Sequence, residues 1–439
     1  SEALRRSHKI TTLGVQLLDL TGNVVSSDFH IGASGTDTKA TYKVVAPKEG
    51  VYILRSIVCR TNSDYSTAGD TNISFEAITT RSISSDAATA AAWLNEESEE
   101  VLDADIPAEI KALKNENEVP ITADMTRNAQ GVWEYTIDMP APELYTYNFI
   151  VDGVAVNDPS NVMQQRDGTR YLSILIVPGE FTENYFEANQ RGNLTKVWYD
   201  SPSLGLNRRM YVYTPYGYDD PKNAKTKYPV LYLLHGAGGD EEAWMTLGRT
   251  SQILDNLIAQ GKARPMLVVM TNGNAWQQAA PGEAADGMGQ PAMRMAGSRP
   301  AASFEESFGD VIEWVESNYR VIKKKEARAV AGLSMGGGHS FNISRTYPNT
   351  FDYVGLFSAA ARIGDNEEVK ASLAKQRDNG FKLYWIACGK TDFLYQANKD
   401  AMKYMDSINF PYTYRESDEG HIWRNWRIYL SEFAPMLFK

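Results

Sequence analysis

Cysteine is nearly absent from this chain. The two in 439 residues, Cys59 and Cys388, stand in no spacing that suits a metal site or a dithiol redox pair. Both read as free thiols, and Cys388, after the apolar run Leu383 to Ala387, reads as a small buried hydrophobe. No uninterrupted apolar run is long enough to span a bilayer, so no membrane insertion is expected. Positive charge is in deficit, with 44 Lys and Arg against 55 Asp and Glu and a net charge of −11. A polyanion would be repelled, no basic tract offers it a groove, and nucleic acid is excluded as a partner. The start, Ser1 to Arg6, has neither the apolar core of a signal peptide nor an initiator methionine, so the chain reads as processed or trimmed. What remains is ordinary globular composition, 43% hydrophobic and 23% charged, in a length that predicts two domains.

The grammar of the chain changes along its length. Residues 1–185 carry strand-length alternation broken by Gly, Asn, Asp and Ser, which predicts an all-β sandwich of the immunoglobulin-like type. Its expected strands are Val15 to Leu18, Ala40 to Val45, Gly50 to Val58, Asn72 to Ile78, Trp133 to Ile137, Tyr145 to Val151 and Tyr171 to Ile176. Residues 86–115, rich in Ala and Glu, read as exposed helix or as an insertion. After a polar bridge from Phe181 to Asn193, residues 186–439 alternate strands with helices, the pattern of an α/β domain around a largely parallel sheet. Pro229 to Leu234, Met266 to Met270, Ala329 to Ala331, Tyr353 to Ser358 and Leu383 to Ala387 are its expected strands. Ser251 to Gln260 and Phe304 to Asn318 have apolar residues at helical spacing.

Gly332-Leu333-Ser334-Met335-Gly336 fits a nucleophile elbow, a sharp strand-to-helix turn that exposes a serine hydroxyl. A serine needs a base of matched pKa, and the chain offers five histidines. His8 and His30 lie in the β-rich region, His235 precedes a glycine turn and reads as structural, and His339 lies in the helix that the elbow begins. His421, in the loop before the last helix, remains as the base. The acid that orients it must follow a strand between Ser334 and His421, and Asp392, just past Leu383 to Ala387, fits best. Asp418 and Glu419 are the alternatives. The oxyanion donors expected are the N–H of Met335 and the N–H of Ala237, in the turn His235-Gly236-Ala237-Gly238-Gly239, with Gly238 as the alternative for the second. No metal or organic cofactor is implied.

With Ser334, Asp392, His421 and the His235 turn in this order, residues 190 to 439 resemble carbohydrate esterase family 1, the feruloyl and acetylxylan esterases of the esterase D group. The matching stretches are Tyr232 to Asp240, Ile253 to Ile258, Asn318 to Val321, Ala331 to Gly337, Phe351 to Ser358, Gly389 to Asp392 and Gly420 to Arg427. Glu313 departs from a proline that many relatives carry. Residues 119–178 resemble a family-48 carbohydrate-binding module of the early-set type, through Gly131 to Thr136, Tyr147 to Gly153 and Asn157 to Asn161. Ala40 to Pro47 resembles that module's first strand, which makes 86–115 a large insertion. Sugar binding and packing on the catalytic domain are both open roles for it.

The resemblance implies an α/β hydrolase that cleaves feruloylated or acetylated xylan, releases a hydroxycinnamate, and is secreted or periplasmic. Acetylxylan esterase, enterochelin-type siderophore esterase and acyltransferase use the same triad and are the rival activities. For substrate contacts, the segment after Trp276 carries Met288, Met293 and Met295, which suit a flat aromatic acyl group, and Trp244, Trp276 and Trp423 are candidates for stacking on sugar.

Overall fold

A computed structural model describes strands 10–18, 24–31 and 53–60 and residues 123–151, 154–168, 170–284 and 302–439. The strands expected at Ala40 to Val45 and Asn72 to Ile78, the stretch 86–115, and Met288, Met293 and Met295 lie outside the described residues. The chain divides into two compact units, one of Ser1–Lys114 with Asn148–Asp158 and one of Asn115–Tyr147 with Pro159–Lys439.

In the first unit, β1 (Ile10–Leu18) lies between β2 (Val24–Ile31) and β3 (Ile53–Arg60), antiparallel to both. The second unit opens with two two-residue strands, β4 (Thr126–Arg127) and β5 (Trp133–Glu134), where the sequence had predicted one strand through Ile137. It continues with β6 (Leu144–Tyr147). The hairpin of β7 (Phe149–Val151) and β8 (Val154–Val156) belongs to the first unit. The chain then returns to the second with β9 (Gln164–Asp167) and β10 (Arg170–Ile176), which form the small antiparallel sheet β6-β10-β9. Leu144, Ile174 and Ile176 of that sheet are buried in one apolar cluster with Trp244, Leu254 and Leu257. Residues 159–185, read from sequence with the N-terminal region, therefore pack with the hydrolase core.

The main sheet has eight strands. These are β11 (Asn193–Ser201), β12 (Leu206–Thr214), β13 (Val230–Leu234), β14 (Leu267–Thr271), β15 (Arg328–Leu333), β16 (Tyr353–Phe357), β17 (Leu383–Gly389) and β18 (Thr413–Ser417). They stand in the order β11-β12-β14-β13-β15-β16-β17-β18, antiparallel at β11-β12-β14 and parallel from β14 onward. This is the α/β hydrolase arrangement. The helices are α1 (Ala243–Thr246), α2 (Thr250–Ala259), α3 (Phe308–Asn318), α4 (Met335–Thr346), α5 (Glu367–Asn379), α6 (Tyr395–Ser407) and α7 (Trp423–Phe433). Every residue of β13, β14 and β16 is buried, as continuous apolar strands covered on both faces must be. From β13 the chain steps one way to β14 and then back across to β15, so a crevice opens at the C-terminal ends of β13 and β15. None of the helices among the described residues is long and apolar enough to cross a membrane.

Candidate active site

Ser334 occupies the turn between β15 and α4 with φ 53° and ψ −116°, a conformation that a side-chain-bearing residue adopts only when its surroundings force it. The force is visible. The Ser334 N–H donates to the Phe357 carbonyl at 2.9 Å, and the Ser334 carbonyl accepts from Gly338 and Ala360 at 3.0 and 2.9 Å. Gly332 and Gly336 let the backbones close in. A Cβ on Gly332 would sit 2.5 Å from the Gly336 carbonyl carbon, and one on Gly336 would sit 2.4 Å from the Leu234 oxygen. The spacing of the sequence motif is thus a steric requirement of this turn.

Asp392 follows β17 with its side chain fully buried, and its carboxylate meets His421 Nδ1 at 2.9 and 3.0 Å. The same carboxylate accepts the Leu394 N–H at 2.8 Å, which fixes its plane. The loops bearing the two residues are laced together: Lys390 N–H donates to the Ser417 carbonyl at 2.9 Å and Thr391 N–H to the Glu419 carbonyl at 3.1 Å. The other acids considered from sequence point elsewhere, Asp418 to Lys390 and Glu419 to Arg424. Two rings flank the imidazole, Phe393 at 4.4 Å between centroids and Trp426, edge-on, at 4.9 Å. The Trp426 indole N–H is tied to Ser358 Oγ at 3.1 Å.

The turn after β13 lies against the elbow, since a Cβ on Gly236 would come 3.2 Å from Ser334 Cβ. Ala237 is exposed there, and Met335 is the first residue of α4, where backbone N–H groups have no intrahelical partner. His235 is buried at the root of the turn. Its Nδ1–H donates to the Gly236 carbonyl at 2.8 Å and its Nε2 accepts from the Gly273 N–H at 2.7 Å, partners that assign the neutral Nδ1–H tautomer. Burial pushes its pKa down to about 4. His235 is therefore a strut between two strand ends, as expected from sequence.

Behind the turn, three consecutive carboxylates meet arginines. Arg166 of β9 reaches both oxygens of Asp240 at 2.7 and 2.9 Å and Glu242 at 2.9 Å. Arg209 of β12, fully buried, pairs with Glu241, Glu242 and Glu283. Glu241 also accepts from Asn272 Nδ2 at 3.0 Å and the Ala280 N–H at 2.9 Å. Burial and the neighbouring Asp240 charge push the Glu241 carboxyl up, against the pull of Arg209. Arg208, also buried, donates to the carbonyls of Asn272, Asn274 and Gln277 at 2.7 to 3.0 Å. The loop after β14 is thereby fixed to the turn after β13. Further on, Ser303 N–H donates to Glu306 at 2.8 Å, and Glu305 pairs with His339 Nδ1 at 2.8 Å. Burial alone would raise the Glu305 pKa, but His339 holds it down at about 2. His339 is thus engaged away from the serine.

The predicted sugar contacts fare differently. Trp244 is 1% exposed, with its indole N–H on the Leu234 carbonyl at 2.8 Å. It belongs to the core and has no face for a sugar, which corrects the sequence expectation. Trp423 packs edge-on against Trp244 and Trp426 at 5.3 and 5.2 Å and is partly buried, and Trp276 is partly buried against the core. Sequence reasoning missed Phe393, Arg166 and Arg209. A lone phenylalanine after an aspartate carries no signal, and neither arginine is near its partners in sequence.

The chain matches the Esterase family, described as "Putative esterase", over residues 201–435. It is similar to an endo-1,4-beta-xylanase/feruloyl esterase of Xylanibacter ruminicola, 30% identical over 323 residues that make up 72% of this chain and 41% of that protein. It is also similar to an esterase of Mycobacterium tuberculosis, 29% identical over 199 residues, 44% of this chain and 36% of that protein. Among solved structures, a ferulic acid esterase aligns with a TM-score of 0.47 and 26% identity, over 56% of this chain and 98% of its own. This chain spans less than half the length of either curated relative. Because the family match covers more than half of its residues, the chain belongs to the esterase family.

Proposed function

We propose that this chain is a serine carboxylic-ester hydrolase of the carbohydrate esterase family 1 type, releasing ferulate or a related hydroxycinnamate from arabinoxylan. The observation that carries the reading is the buried Asp392 paired with His421 Nδ1 after parallel strands β17 and β18, at the same C-terminal end of the sheet where Ser334 holds its strained turn after β15. The similarity to a protein named as a xylanase and feruloyl esterase supports the substrate class.

Ser334 Oγ attacks the ester carbonyl carbon while His421 Nε2 takes its proton. Asp392 holds the Nδ1–H and stabilises the imidazolium. The N–H groups of Met335 and Ala237 receive the oxyanion. The tetrahedral intermediate collapses as the carbon–oxygen bond to the alcohol breaks, and the imidazolium proton passes to the departing oxygen. Water, deprotonated by His421, then releases the acid and frees Ser334. Trp276 and Trp423 are the proposed sugar contacts, and Met288, Met293 and Met295 are the proposed contacts of the aromatic acyl group.

An N-terminal β-sandwich region preceding the hydrolase, placed by sequence at 1–185 but with 159–185 packed on the hydrolase core, belongs to the same proposal. So do the carbohydrate-binding-module character of 119–178 and a secreted or periplasmic location. The test is a panel of methyl ferulate, acetylated xylan and a short-chain nitrophenyl ester on one preparation. Methyl ferulate is expected to be cleaved fastest, and faster turnover of acetyl esters would make the chain an acetylxylan esterase. Ser334→Ala is expected to lose at least about 10⁴-fold in rate with the fold intact. Undiminished cleavage by that variant would sink the mechanism.

A further inference from the structure

Phe393 follows the aspartate of the triad directly. The residue is 60% exposed although its ring packs on the His421 imidazole, 4.4 Å between centroids. Leaving most of a phenylalanine in water forfeits burial that folding would otherwise gain. The backbone on both sides holds it there. The Asp392 carboxylate caps the Leu394 N–H at 2.8 Å, the Tyr395 N–H donates to the Asp392 carbonyl at 2.8 Å, and α6 begins at Tyr395.

Its position gives the exposure a meaning. Of the two rings on the imidazole, Trp426 is buried and Phe393 is open. In ester cleavage the imidazolium delivers its proton to the oxygen of the departing alcohol, so the alcohol portion of the substrate lies on the His421 side of the scissile bond. For an ester of a polysaccharide, that portion is a sugar ring, whose C–H face is apolar and flat enough to cover a phenyl ring.

We propose that Phe393 is the platform of a subsite for the sugar that carries the scissile ester, stacking on the glycan side of the bond while the acyl group lies beyond Ser334. The proposal rests on the ester-hydrolase reading above and extends it to the leaving group.

The experiment holds the acyl group constant and varies the alcohol. kcat/KM is measured with a feruloylated arabinoxylan oligosaccharide and with methyl ferulate, for the wild-type chain, Phe393→Ala and Phe393→Trp, each checked for fold by circular dichroism. In Phe393→Ala the ratio of the two values is expected to fall about tenfold, the loss of one covered ring face. Phe393→Trp is expected to keep it. A ratio equal to wild type in Phe393→Ala overturns the subsite, whether both rates fall together because the imidazole has lost its packing or neither changes. A wild-type chain that cleaves acetyl but not feruloyl esters has the same ratio read with acetylated xylo-oligosaccharide against methyl acetate. Failure of the wild type on every ester overturns the hydrolase reading and the subsite with it.

Discussion

The two walls of the proposed catalytic crevice are built from opposite chemistry. On the oxyanion side, the turn after β13 is held by Asp240, Glu241 and Glu242 against Arg166 and Arg209, with Arg208 gathering three carbonyls. On the acid–base side, His421 lies between Phe393 and Trp426, and Trp423 and Trp244 continue the aromatic packing. The difference follows from what each wall must do. Backbone donors stabilise a developing oxyanion only when they are aimed beforehand, and directional charge-assisted bonds fix orientation. An imidazole must instead take a proton on one side and give it up on the other. Ring packing confines it without competing for its nitrogens.

The largest effect is expected from turning the carboxylate that orients His421 in the aromatic wall against it. Asp392→Asn presents an amide to His421 Nδ1 and favours the wrong tautomer, and kcat on the best ester is expected to fall about 10⁴-fold at unchanged fold. A loss below about tenfold would mean that ring packing alone orients the imidazole. Next comes the charged wall. Arg209→Met strands Glu241 in a buried site, and urea unfolding is expected to show a loss of about 3–5 kcal/mol. Stability within 1 kcal/mol of wild type would mean that these carboxylates do not hold the turn.

The smallest effect concerns pH. His235 has its folded pKa near 4, below the ordinary value of 6.5, so it is neutral in both states above pH 6.5 and adds no pH dependence there. As pH falls from 6.5 to 4, the unfolded chain takes up the proton first, and roughly 3 kcal/mol of stability is lost. Protonated Nε2 can no longer accept the Gly273 N–H, so the charged wall should loosen before the aromatic one. His235→Asn is expected to flatten this part of the stability profile, and an unchanged slope would assign the acid sensitivity to other groups.

The parts of this site legible in the sequence are those whose chemistry is local. Gly332 and Gly336 flank Ser334 because the turn admits no side chain at either position, and the central strands read as strands because burial on both faces demands unbroken apolar runs. Asp392 and His421 were singled out from sequence because each must follow a strand in a set chain order, and the structure pairs their side chains. What escaped depends on distant partners. β12 carries Arg208 and Arg209 in the middle of its run, charges that suggest a surface until Glu241 and the carbonyls after β14 are brought to them. Trp244 was misread because composition does not say which face of a short helix turns inward. The small sheet β6-β10-β9 read as part of a separate domain because its apolar residues gave no hint that α2 would cover them.

The described chain is moored on both sides of the segment 285–301. Before it, the Ala280 N–H and Glu283 are tied to Glu241 and Arg209. After it, Ser303 and Glu306 bond reciprocally and Glu305 grips His339 on the elbow helix. Such mooring ties each end to the hydrolase core by its own bonds, so cutting one post is not expected to free the other: the Arg209 cluster holds the first through Glu283 and Glu241, and the elbow helix holds the second through His339.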